Sequence, residues 1–165
     1  MVRPGHLTPN QLVEVEPGIF LGVRAARAYR RAKAGFRRHG KVLTIVTKFA
    51  AYRDEDLQNK MADASRTPPG SKARKKYKLS SSSTVPVAYS PNGSHQDGRA
   101  FDFLLDGSDA YPSAEDRRIF KHYGWNFQFG PDDRNHVRHD NVHGVVPVTR
   151  AWCIKNHIWV KPAKK

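Results

Sequence analysis

The chain is poor in cysteine, in carboxylates and in long apolar runs, and each scarcity narrows what it can be. Cys153 is the only cysteine among 165 residues, which excludes an internal disulfide and a Cys-rich structural zinc site. Beside Trp152 and Ile154 it suits a small buried hydrophobe. No apolar stretch reaches the roughly 18 residues of a membrane-spanning helix, and the polar N-terminus lacks a signal-peptide pattern. A soluble product made in the cytoplasm is expected, and export would need outside help. There is no internal repeat, and no helix-turn-helix, zinc finger or aromatic-studded nucleic-acid motif.

Acidic residues number 15 against 29 Lys and Arg, a formal net charge of +14. Arg24, Arg27, Arg30, Arg31, Lys33, Arg37, Arg38 and Lys41 form one basic run, and Lys72, Arg74, Lys75, Lys76 and Lys78 form another. Such a field draws in polyanions. DNA or RNA is one class of partner, although Tyr29 and Phe36 are better explained as core than as base-stacking residues. A solvated helix face that only aids solubility is the plain alternative.

What is present has an α+β order. Val23, Ala26, Tyr29, Ala32 and Phe36 recur at helical spacing, and Gly40 follows a last turn holding Arg37, Arg38 and His39, a helix-stop pattern. Residues 42–46 fit a buried strand, 54–61 a short helix, 100–105 a second strand, and 113–123 a helix with Ser113 as N-cap. Residues 125–129, 136–139 and 158–160 are further strand candidates. A small, largely antiparallel sheet with helices packed on it suits this order. The length allows one domain over 1–165 and no second full one. Within it a basic, Ser-rich loop is expected over about 66–84, and the short basic C-terminal tail is expected to fray.

The segment S-P-N-G-S-H-Q-D-G-R-A-F-D-F over 90–103 carries the chemistry. Side chains alternate across the strand, so Asp102 shares a face with Ala100 and Leu104, while Phe101, Phe103 and Leu105 take the other. An ionised carboxylate in an apolar strand needs a cation or several donors. A metal answers that need, and Gly98 lets the chain turn so that His95 faces the same point. With 8 His and 15 acids in the chain, a seven-residue spacing is weak on its own. Arg99 or backbone amides holding Asp102 is the competing reading.

A catalytic zinc takes three protein ligands and keeps a position for water. The run P-D-D-R-N-H-V-R-H-D-N over 131–141 offers a third ligand, His136, with Asp133 three residues before it as general base. Asp132, Asp140, His139 and His143 compete for these roles.

His95, Gly98, Ala100 and Asp102 match the pattern H-x-x-G-x-A-x-D. In this the chain resembles the D-alanyl-D-alanine carboxypeptidase and L-alanyl-D-glutamate endopeptidase family of zinc peptidases, which share a fold with the hedgehog signalling domain. Gln96 also fits. The segment A-Y-R-D-E-D-L-Q over 51–58 resembles the family's G-Y-R-S-x-x-x-Q, so three motifs fall in family order across roughly 20–140. The resemblance implies zinc held by His95, Asp102 and His136, with Asp133 as catalytic base. It implies Arg53 as the group that steadies the substrate or its oxyanion, with Gln58 and Ser94 as substrate contacts. The chain departs from the family at Gly93, where Ser is usual, and at Asn135, where Trp or Pro is common.

An Asp at the base position resembles the phage-type endopeptidases more than the bacterial carboxypeptidases. The implied activity is zinc-dependent hydrolysis of an amide in the peptidoglycan stem peptide, L-Ala-D-Glu endopeptidase before D-Ala-D-Ala carboxypeptidase. A phage-type lysin acting at the bacterial cell wall, or carried in a virion beside other virion proteins, fits this picture. Its basic runs would then meet anionic wall polymers. A virion structural protein that keeps the fold with little catalysis, or a basic nucleic-acid-binding protein, are the alternatives.

Overall fold

The computed structural model describes residues 5–79, 86–91, 93, 95–127 and 129–139. The chain opens with an antiparallel hairpin of β1 (Leu12–Glu16) and β2 (Ile19–Gly22), with Glu16 opposite Ile19. Pro17 and Gly18 make the turn, and Gly18 takes φ +71°, the Pro-Gly chemistry of a tight turn with a left-handed second position. Val13, Val15, Ile19 and Leu21 pack on the core. The hairpin was not anticipated, although its alternating apolar residues and Pro-Gly pair are its signal.

Helix α1 (Val23–Arg38) follows at once. Of the predicted apolar stripe, Ala26, Tyr29, Ala32 and Phe36 are buried on the core face, joined by Ala25, while Val23 at the first position is half-buried. Gly40 ends it at φ +70°, its N–H donating to Arg37 O at 3.0 Å while Lys41 N–H reaches Phe36 O at 2.9 Å. This paired closure satisfies carbonyls that the helix end would otherwise leave open.

Then come β3 (Leu43–Ile45), α2 (Glu55–Ser65), α3 (Lys72–Lys76), β4 (Ala100–Leu105), α4 (Ala114–His122), β5 (Trp125–Asn126) and β6 (His136–His139). The larger sheet has the order β3-β4-β6-β5, with every neighbouring pair antiparallel. The fold is thus α+β with a small antiparallel sheet, as expected. Ser113 caps α4 by accepting from Asp116 N–H at 3.1 Å.

Four expectations are corrected. The buried strand expected over 42–46 is Leu43–Ile45, with Val42 and Val46 exposed at its ends. Helix α2 runs on to Ser65, because Ala62 and Ala64 continue its buried side. The strand expected over 125–129 stops at Asn126, where Gly130 N–H bonds Phe127 O at 3.2 Å and a 3-10 turn, Gly130–Asp133, begins. The basic stretch expected as loop holds α3, capped by Ser71 accepting from Arg74 N–H, with the Arg74 side chain buried. The strand candidate over 158–160, Cys153 and the basic tail lie outside the described residues. Among the described residues no helix is long and apolar enough to cross a membrane.

Sheet pleating divides the molecule. Phe101, Phe103, Val137 and Trp125 are fully buried on one face. Tyr29 meets Phe101 edge-on at 5.1 Å, and Phe120 lies 4.7 Å from Phe36 and 4.8 Å from Phe103. Each such ring contributes roughly 1.5–3 kcal/mol by burial. The other face is where the polar residues gather.

Candidate metal centre

Register creates the centre. Asp102 on β4 is the cross-strand partner of His136 on β6, and directly opposed residues of an antiparallel pair project from the same face with their Cβ atoms close. His136 Nδ1 lies 2.9 Å from Asp102 Oδ1. His95 arrives from the loop before β4, with its Nε2 at 3.5 Å from the same oxygen. The two imidazole rings stand 5.1 Å apart at 75°.

Several contacts fix the His95 turn. Gln96 is fully buried; its N–H bonds Gly93 O, its Oε1 accepts from Gly93 N–H, and its Nε2 donates to Ser90 Oγ at 2.9 Å. Gly98 turns the chain at φ +69°. A Cβ there would lie 2.8 Å from Gly22 N and 2.9 Å from Leu7 Cδ1, so only glycine lets the hairpin approach this closely.

His95, Asp102 and His136 are the one group among the described residues whose three ligand atoms lie within 4.8 Å of one another. Atoms coordinated tetrahedrally at about 2.1 Å are roughly 3.4 Å apart; the 3.5 Å from His95 Nε2 to Asp102 Oδ1 matches this, the 2.9 Å from His136 Nδ1 is a hydrogen-bond length, and the whole trio lies within 4.8 Å. Two imidazole nitrogens and a carboxylate oxygen also form a donor set that zinc accepts. Burial pushes His95 down to about 4, helped by the Arg53 charge, leaving a neutral ring with a lone pair to offer at neutral pH. Burial works against the charge of Asp102, but His95 and His136 outweigh it and hold the carboxyl well below its usual range. The residues present therefore fit a zinc ion.

Arg53 and Asp133 flank the trio. Arg53 is buried, its Nε donating to Phe49 O at 2.5 Å and its Nη1 to Gln58 Oε1 at 3.4 Å, while Nη2 is 3.8 Å from Asp102 Oδ2. Gln58 in turn donates to Ala88 O at 2.5 Å. Asp133 leaves the 3-10 turn with Oδ2 at 3.9 Å from His136 Nδ1. Its side chain is 47% exposed, which places it at the open side of the centre. Loss of solvation beside the buried site, together with the Asp102 charge, raises its pKa against the pull of His136 and Arg53. For His136, burial is outweighed by its bond to Asp102 and by the Asp133 charge, so its pKa rises.

The structure thus brings together His95, Asp102, His136, Asp133, Arg53 and Gln58. His139 belongs to the opposite face, 5.2 Å from Trp125. Ser94, Asp140 and His143 lie outside the described residues. Arg99 does not hold Asp102; it pairs with Asp97 at 2.9 Å, as does Arg138 at 2.6 Å.

Both departures from the family pattern have local causes. A Cβ on Gly93 would come within 2.5 Å of the Gln58 carboxamide, so glycine makes room for the side chain that braces Arg53. Asn135 ties the loop to β4, its Nδ2 donating to Phe103 O at 3.1 Å and its carbonyl accepting from Phe103 N–H at 2.9 Å. Sequence reasoning missed the Phe49 carbonyl that anchors Arg53, and Phe129, whose ring lies 5.5 Å from that of His136. A backbone acceptor leaves no residue-type signal, and an aromatic in a loop carries little.

No family model and no curated protein sequence matches the chain. Solved structures do. One is the vancomycin-resistance D,D-pentapeptidase VanY of a VanB-type resistance cassette, in complex with Zn(II). It is 19% identical, with a TM-score of 0.55 over 78% of this chain and 77% of that one. The LdcB LD-carboxypeptidase, whose structure concerns peptidoglycan recognition, is 21% identical with a TM-score of 0.58 over 93% and 76%. The vancomycin-resistance D,D-dipeptidase VanXYg, in complex with a D-Ala-D-Ala phosphinate analogue, is 19% identical with a TM-score of 0.54; the match covers 94% of this chain and 62% of that one.

Proposed function

On the fold it shares with the zinc D-Ala-D-Ala peptidases, we propose that this chain is a zinc-dependent peptidase hydrolysing an amide bond in the peptidoglycan stem peptide. The observation that carries this reading is the convergence of His95 Nε2 and His136 Nδ1 on one oxygen of Asp102. A zinc ion held by these three side chains would supply Lewis-acid polarisation of a carbonyl and would lower the pKa of water toward about 7.

The chain's own residues do the rest. Asp133, at the open side, accepts the proton of the attacking water and returns it to the departing amine. Arg53, held by Phe49 O and Gln58, donates to a substrate carboxylate or to the oxyanion as charge develops there. Gln58 keeps the guanidinium in place, and Ser94, beside His95 in sequence, contacts the substrate.

Within this class an L-Ala-D-Glu endopeptidase of a phage-type lysin is favoured, because Asp rather than Glu takes the base position. A carboxypeptidase is the second reading, favoured by the carboxypeptidase neighbour and by the suitability of a fixed guanidinium for a terminal carboxylate. Digestion of purified peptidoglycan, with and without chelator, followed by fragment masses tests both. New amino groups on D-Glu identify the endopeptidase, and loss of a terminal D-Ala identifies the carboxypeptidase. Bound zinc without any release would leave the chain as a structural relative that has lost catalysis.

A further inference from the structure

Helix α1 departs from the charge pattern of α2 and α4, the other helices longer than two turns. In α2 and α4 the first turn carries Glu55 and Asp56, or Glu115 and Asp116, which complements the positive N-terminal end of the helix dipole. Helix α1 has no acid in its first turn; it has Arg24 there. Its outward side exposes Arg24, Arg27, Arg30, Arg31, Arg37 and Arg38. Arg27 stands three residues from Arg24 and four from Arg31, spacings at which like charges disfavour a helix. Among the described residues Arg24, Arg27, Arg31 and Arg37 have no carboxylate within 4.0 Å. Arg30 and Arg38 bond Glu14 O and the Tyr123 hydroxyl, and Arg37 and Arg38 suit the C-terminal end of the helix dipole. Arg24, Arg27 and Arg31 have no such return, and a local rule broken without structural return points to function.

We infer that the outward face of α1 binds a phosphodiester polymer of the bacterial wall, of the teichoic-acid type. The residues are arginines throughout, whose planar forks take two phosphate oxygens at once, whereas the exposed charges of the second basic cluster are the lysines 72, 75, 76 and 78. From Arg24 to Arg38 the array extends about 21 Å along the helix, long enough to follow a chain of several phosphates. None of the large exposed hydrophobic side chains lies on α1, so the face has no platform on which nucleic-acid bases could stack. The choice of a wall polymer over a nucleic acid also rests on the peptidase reading above.

The position of this face adds a consequence. Tyr29 and Phe36 seat α1 on the aromatic side of the sheet, whereas Asp102 and His136 project from the other side. A polymer held on α1 therefore leaves the metal centre open and turned away from the tether.

The test is co-sedimentation of the full chain with walls that keep their teichoic acid and with walls stripped of it. It is accompanied by direct titration with a poly(glycerol phosphate) and with duplex DNA at matched phosphate. The expected result is binding to intact walls and polymer, loss on stripped walls, and at least a tenfold weaker affinity for R24Q/R27Q/R31Q/R37Q. The log–log salt slope should fall by about 3 for four lost charges on a single-stranded polyanion. The fourfold Arg→Lys variant keeps the charge and should fall in between. All four side chains are exposed, so the Gln variant should stay folded and cleave a soluble stem peptide at the parent rate. Equal binding of parent and Gln variant, or equal binding to stripped walls, overturns the inference. Tighter binding to duplex DNA overturns it in favour of a nucleic acid. A parent that binds the polymer but cleaves no stem peptide would instead overturn the peptidase reading.

Discussion

The two faces of strand β4 are built from alternate residues of one six-residue segment, yet they serve opposite ends. Phe101 and Phe103 enter a face of packed rings and hold the fold, while Asp102 on the other meets His136, His95 and Arg53. The first face gains from every atom it buries. The second sets a carboxylate among groups whose own desolvation is costly, and it is satisfied only if opposite charge or a metal is supplied. The same pleat therefore separates stability from chemistry, and substitutions one residue apart should fail in different ways.

The sharpest break is expected at the ligands. Asp102→Ala, and likewise His95→Ala or His136→Ala, should abolish zinc binding and hydrolysis together; zinc content and turnover read the two effects. One residue away, Phe101→Ala should leave the donor atoms in place but destabilise the fold by about 3–5 kcal/mol, seen in denaturant unfolding. If Phe101→Ala lost zinc without losing stability, the division between the faces would be wrong.

Asp133→Asn separates base from ligands on the polar face. It should keep zinc while turnover falls on the order of 10²–10⁴-fold; if Asp132→Asn shows that pattern instead, the neighbouring acid is the base. Arg53→Lys keeps the charge but loses the fork held by Phe49 O and Gln58, and should cost roughly a hundredfold in kcat/KM.

The smallest effect lies on the core face. Tyr29 is buried and donates its hydroxyl to Glu16, which pushes its pKa well above the ordinary value, burial being the larger cause. A group raised on folding lends stability below its unfolded pKa, here about 10, and that stability is lost as pH climbs beyond it. Tyr29→Phe should cost about 1 kcal/mol at neutral pH, and the difference from the parent should shrink above about pH 10. A constant difference from pH 8 to 11 would contradict this.

Much of both faces could be read from the residues because strand alternation is local. Ala100–Leu105 and His136–His139 are strands with the predicted bounds, and α1 buries the predicted stripe from Ala26 to Phe36. The pairing of Asp102 with His136 could not be read, since the strand order β3-β4-β6-β5 is set by contacts distant in sequence. Arg99, next to the site in sequence, binds Asp97, whereas Arg53, 49 positions before Asp102, reaches it. Long-range charge pairing follows the fold, and the fold of a loop-rich segment leaves little periodic trace. The short helix α3 was hidden by its lysines, and only Ser71 as its cap gave a signal.

The most direct test of the central claim is a zinc titration of the purified chain beside Asp102→Ala and Asp133→Asn, with turnover on peptidoglycan followed in the same samples. One zinc per chain in the parent and in Asp133→Asn, none in Asp102→Ala, and turnover in the parent alone is the predicted result. Full zinc and turnover in Asp102→Ala would contradict a centre built on His95, Asp102 and His136.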